Sequence, residues 1–129
     1  MPLNNRRILV VEDEAMVALL VEDELIDLGA KVLGPAASVE DALALLTAAA
    51  SDGGLDAAVL DMNLGGESVA PVADALLRIG VPFVLMTGYD EGLGAGPHEG
   101  VPRLQKPFVP CDLLDLLEGL LRPAARLGA

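Results

Sequence analysis

Glu12 and Asp13 directly follow the apolar run Ile8–Val11, and Asp61 closes the run Ala57–Leu60. Thr87 ends Pro82–Met86, and Lys106 comes straight after Arg103-Leu104-Gln105. Three acids, a hydroxyl and an ammonium group therefore stand where short strand-like segments stop. If those segments are neighbouring parallel strands, all five groups share one carboxyl edge, where open α/β sheets place their chemistry. Two carboxylates ~5 Å apart repel by roughly 3 kcal/mol at an effective dielectric of about 20. Three in one crevice call for a cation, and Mg²⁺, which takes few carboxylates and keeps several waters, suits an open edge. Lys106 adds a second positive charge and Thr87 a hydrogen-bond donor. A carboxylate nucleophile beside a metal, a lysine and a hydroxyl makes a pocket able to accept a phosphoryl group on Asp61.

The elements needed to position these groups are legible in order. Ile8–Val11 and Ala57–Leu60 are apolar without alternation, and Pro82–Thr87 is apolar until it ends on a hydroxyl, as strands buried on both faces should be. Lys31-Val32-Leu33, closed by Gly34-Pro35, and Arg103-Leu104-Gln105 supply two shorter strands. Ala15 to Leu28 has helical periodicity, with Val17, Val21, Leu25 and Leu28 on the inner stripe, Glu12-Asp13-Glu14 suiting its first turn, and Gly29 ending it. Ser38 caps a second helix running to about Ala49, with Asp41 three residues on. Ser68 caps a third from Val69 to about Leu77, with Pro71 in its first turn. Pro110 to Leu121 forms a leucine-rich last helix. Between Gly88 and Gly100 five glycines and Pro97 oppose a regular helix, so the fourth helix is expected to be degraded. Strand and helix alternate, which predicts a doubly wound five-stranded parallel sheet in one domain spanning 1–129, its core at about 6–121, with no output domain.

Composition narrows the function classes. A hydrophobic fraction of 53% and a mean hydropathy of +0.51 exclude disorder. No apolar run approaches ~18 residues, so no membrane span is expected. The net charge of −12 and aromatic content of 2% argue against binding nucleic acid, which needs cations and stacking surfaces. Cys111, the single cysteine, suits a reducing cytoplasm.

Taken together, Val10-Val11-Glu12-Asp13, Leu60-Asp61-Met62-Asn63-Leu64, Met86-Thr87-Gly88 and Lys106-Pro107-Phe108 resemble a response-regulator receiver domain (CheY-like) over essentially the whole chain. The resemblance implies the flavodoxin-like strand order 2-1-3-4-5. It implies that Glu12 and Asp13 hold Mg²⁺ with Asp61 and the main-chain carbonyl of Asn63. Asp61 would take a phosphoryl group from a histidine kinase or histidine phosphotransfer protein, Thr87 would hydrogen-bond it, and Lys106 would pair with it. Pro82 to Tyr89, with Val101 to Phe108, is similar to the subfamily nicknamed FATGUY, which implies kinases of the HWE or HisKA2 classes. Where most receivers carry an aromatic switch residue, three positions before the lysine, this chain has Arg103, and Tyr89 is the candidate to take over that role. In the first helix Met16, Leu19 and Ile26 fall on the outer side. By the family's pattern Met16, Leu19 and Leu20, extended by Phe108, are a docking patch for the phosphodonor.

Other readings meet specific obstacles. Asp61 to Gly66 resembles a calcium loop superficially, but Gly65 and Val72 stand where that pattern needs Asp or Asn and Glu. Gly92-Leu93-Gly94-Ala95-Gly96 lacks dinucleotide-binding spacing, and His98 within that segment is read as solvated. A flavin carrier on this fold would place its phosphate loop where Glu12-Asp13-Glu14 stands. A phosphorylation-independent protein-binding module keeps the fold but leaves the five-residue pocket without a use.

Overall fold

The structure, a computed structural model, describes residues 3–87, 102–105 and 108–121. The segment expected to replace a fourth helix, with Tyr89 and His98, lies outside these residues, as does Lys106. Five parallel strands, β1 (Arg7–Val11), β2 (Lys31–Ala36), β3 (Ala57–Asp61), β6 (Phe83–Thr87) and β7 (Arg103–Gln105), form one sheet in the order β2-β1-β3-β6-β7. Counted among themselves these strands run 2-1-3-4-5, the expected order. A short antiparallel pair, β4 (Asn63–Leu64) and β5 (Glu67–Ser68), interrupts the path from β3 to helix α3 (Ala70–Arg78). The other helices are α1 (Ala15–Asp27), α2 (Val39–Ser51) and α4 (Pro110–Leu120).

Each central strand is apolar throughout because successive side chains enter opposite layers. Leu9, Val11, Ala58, Leu60, Phe83 and Leu85 pack with α2 and α3 through Ala42, Leu46, Val72 and Leu76. Ile8, Val10, Ala57, Val59, Val84 and Met86 pack with α1 and α4 through Val21, Leu25, Leu113 and Leu117. At the amino edge, Arg7 is fixed through its main-chain N–H to Asp56 Oδ2 (2.8 Å) and its Nε–H to the Gly54 carbonyl (2.7 Å).

The structure corrects several local expectations. Gly34-Pro35 does not close β2: the strand continues to Ala36 through a bulge, Leu9 pairing with Leu33 and Val11 with Ala36. An edge strand tolerates the proline's missing N–H, and Gly34 takes φ +102. The acids Glu12-Asp13-Glu14 precede α1 rather than occupy its first turn, since Glu14 is the N-cap. The inner stripe of α1 centres on Ala18, Val21 and Leu25, with Val17 and Leu28 only half-buried at its margin. Val69, not Ser68, is the cap residue of α3, although the Ser68 hydroxyl accepts from the Ala70 N–H at 3.1 Å. Ser38 caps α2 as expected, its Oγ accepting from Asp41 N–H at 3.1 Å.

Candidate functional site

The strand register brings the predicted acids together. Val11 pairs with Leu60, so Glu12 and Asp61 emerge side by side from adjacent strands. Asp61 pairs with Met86, and Thr87 follows on β6. The bulge in β2 carries the sheet's hydrogen bonding one step further, because the Glu12 N–H donates to the Ala36 carbonyl at 2.9 Å. The Glu14 N–H then donates to Glu12 Oε2 at 3.0 Å, turning the carboxylate back over the strand end. Glu12 and Asp61 are 2% and 3% exposed, Thr87 is buried, and Asp13 is open to solvent. One carboxylate oxygen from each of Glu12, Asp13 and Asp61 lies within 4.8 Å of the others. Such a set of hard oxygen donors, two buried and one exposed, fits a divalent cation entering from the Asp13 side with part of its hydration shell.

The loop beyond Asp61 is more ordered than the sequence reading allowed. Gly65 (φ +59) and Gly66 (φ +92) form the two-residue loop of the β4–β5 hairpin, in which Asn63 pairs with Ser68 and Leu64 with Glu67. Two positive φ values in succession match the right-handed twist of a tight hairpin and favour Gly-Gly. That dipeptide was the available signal, but two-residue strands are too short for a period to emerge. Leu64 is buried in the α2–α3 layer, while the Met62 N–H donates to the Met86 carbonyl at 3.0 Å. The hairpin tip meets Asp13: a Cβ on Gly65 would stand 3.3 Å from Asp13 Oδ2. Its far strand meets α2, whose Val39 N–H donates to Glu67 Oε1 at 3.4 Å.

Of the other predicted residues, Asn63 lies in β4, two positions beyond Asp61. Met16, Leu19 and Leu20 are exposed on α1, at 80%, 52% and 53%, alongside the acid pocket in the chain. Phe108 is half-buried against the layer that α1 and α4 share. Lys106 follows β7 directly in the sequence but, with Tyr89, lies outside the described residues.

No protein-family model matches the chain, and no curated protein matches it. Solved structures do. SdrG from Sphingomonas melonis Fr1 is 41% identical, with a TM-score of 0.77, over 91% of this chain and 97% of that one. A response regulator receiver protein from Sinorhizobium medicae WSM419 is 27% identical, with a TM-score of 0.74, over 92% and 96%. This chain belongs to the response-regulator receiver family. The response regulator PhyR from Brucella abortus is 25% identical, with a TM-score of 0.78, over 96% of this receiver but only 51% of its own length. The role of this receiver is that of a response regulator in two-component signalling. Among its described residues no helix is long and apolar enough to cross a membrane.

Proposed function

We propose that this receiver takes a phosphoryl group on Asp61 from a histidine kinase or histidine phosphotransfer protein and passes the signal to a protein partner. The observation that carries the reading is the buried Asp61 carboxylate at the end of the central strand, within 4.8 Å of two further acids. An Asp61 oxygen attacks the phosphorus of a phosphohistidine, an O–P bond forms, and the N–P bond breaks with its electron pair returning to the imidazole. Glu12, Asp13, Asp61 and the Asn63 main-chain carbonyl are the proposed Mg²⁺ ligands. The bound cation would offset the charge gathering on the phosphoryl oxygens. Thr87, buried on the neighbouring strand end, donates its hydroxyl to one phosphoryl oxygen, and Lys106 pairs with another. Burial of Asp61 limits attack of bulk water on the acyl phosphate once it has formed.

The subfamily resemblance around Thr87 and Lys106 supports a donor of the HWE or HisKA2 class, docking on Met16, Leu19 and Leu20 with Phe108 at the margin. The cytoplasm is the compartment in which such a donor presents its phosphohistidine. The receiver itself acts as a signalling module, with any catalysis confined to its own phosphorylation and dephosphorylation.

The test is label transfer. The chain is incubated with autophosphorylated candidate kinases and Mg²⁺, and the intact mass is followed. Gain of one phosphoryl group in the wild type and none in Asp61→Asn is the expected result. A phosphoryl group retained by Asp61→Asn at the wild-type rate would overturn the assignment.

A further inference from the structure

We infer that Glu67 is a positioning residue for the acid pocket: by accepting the Val39 N–H, it pins the β4–β5 hairpin against α2 and so holds Gly65 against Asp13 and the Asn63 main chain in its place beyond Asp61. This rests on the metal-site reading given above and extends it to a side chain that touches neither the cation nor the phosphoryl group.

Contacts at four places bear on the hairpin: its base, its inner side, its tip and its outer strand. At its base the Met62 N–H is fixed to the Met86 carbonyl at 3.0 Å, and the Val69 N–H returns to the Met62 carbonyl at 3.3 Å. On its inner side Leu64 is 4% exposed within the α2–α3 layer. At its tip Gly65 stands against Asp13 Oδ2. The outer-strand contact, Glu67 Oε1 to the Val39 N–H at 3.4 Å, ties that strand to a separate helix. The main-chain pairing of two residues with two cannot hold a hairpin by itself in water. Without Glu67 the outer strand loses its hydrogen bond to the start of α2.

The chemistry of the outer-strand contact is well matched. Val39 is the first residue of α2, so its N–H is one of the donors a helix leaves without an intrahelical acceptor. The Ser38 hydroxyl serves the Asp41 N–H and leaves Val39 to Glu67. A carboxylate there also meets the positive end of the helix dipole. Glu67 is itself exposed, which suits a residue that steers a loop rather than one that fills the core.

Glu67→Ala and Glu67→Gln separate positioning from charge, because the glutamine amide oxygen still accepts the Val39 N–H while the negative charge is gone. Mg²⁺ binding is measured by amide NMR titration, and amide exchange at Val39 and residues 62–69 is measured in metal-free protein. In Glu67→Ala, Mg²⁺ affinity is expected to fall about three- to tenfold, below the 10- to 100-fold typical of residues that hold a ligand directly. Exchange at Val39 and across the hairpin should speed up in the same variant. Glu67→Gln should restore most of both. Wild-type affinity and exchange in Glu67→Ala would overturn the inference, as would Glu67→Gln losing as much as Glu67→Ala, which would make charge the cause. If the wild type itself binds no Mg²⁺, the metal-site reading fails, while the exchange data still decide whether Glu67 holds the hairpin to α2.

Discussion

The α-carbon of Gly65 faces the carboxylate of Asp13 so closely that a methyl group added there would stand 3.3 Å from Oδ2. The exposed acid of the pocket is therefore bounded by main chain from the loop that follows the buried one. Gly65→Ala tests this boundary. Alanine at φ +59 is disfavoured by about 1 kcal/mol, and the new methyl displaces the Asp13 carboxylate by a few tenths of an ångström. The expected result is a stability loss of about 1 kcal/mol, read by urea unfolding, together with weaker Mg²⁺ binding. Unchanged Mg²⁺ affinity would mean that Asp13 adjusts without consequence.

A second glycine acts on the pocket through the sheet. A Cβ on Gly34 would lie 2.7 Å from the Val10 carbonyl oxygen and 2.8 Å from the Ala36 nitrogen, both main-chain atoms that cannot swing aside. Beyond this bulge the Ala36 carbonyl receives the Glu12 N–H. Gly34→Ala is expected to cost about 2–4 kcal/mol in urea unfolding, because steric overlap adds to the unfavourable φ. A loss under about 0.5 kcal/mol, the usual size of a surface change, would show that the bulge relaxes freely.

Both glycines mark the limit of what the sequence discloses. Ala57–Leu60 and Phe83–Thr87 are legible because burial on both faces leaves an uninterrupted apolar run, and each run ends on the polar group that the sheet delivers to its edge. The meeting of Glu12, Asp13 and Asp61 follows from parallel register alone. The continuation of β2 does not, because Gly34-Pro35 ordinarily stops a strand and only an edge position excuses the proline. The inner stripe of α1 shifts toward Ala18, since a small residue can sit closest to the sheet without standing out in a hydropathy pattern. Glu67 was invisible for a different reason: its partner, Val39, is 28 residues away in sequence and contributes only a main-chain N–H.

Asp61→Asn has a consequence besides loss of labelling. Each carboxylate pair here repels by roughly 3 kcal/mol at an effective dielectric of about 20, and less where Asp13 reaches water. Removing the charge should raise metal-free stability by about 1–2 kcal/mol, as read by urea unfolding in excess chelator. Added Mg²⁺ should narrow the difference, because it binds the folded wild type more tightly than the variant. Equal or lower stability of the variant in chelator would argue against charge crowding in the pocket.

The exposed residues of α1 give the last test. Met16, Leu19 and Leu20 are 80%, 52% and 53% exposed on one helix that starts three residues after Glu12. None of them supports the core, so Met16→Ser combined with Leu20→Ser should change stability by no more than about 0.5 kcal/mol. If a donor protein docks here, the same double variant removes two apolar anchors from a desolvated contact. A loss of at least about tenfold in the rate of transfer from the cognate kinase is then expected, since one anchor residue often exceeds 1 kcal/mol. Phosphorylation by a small phosphoramidate needs no docking surface and should proceed at the wild-type rate. Equal loss with both donors would place the damage in the pocket itself. Equal transfer from the kinase to variant and wild type would place the docking surface elsewhere.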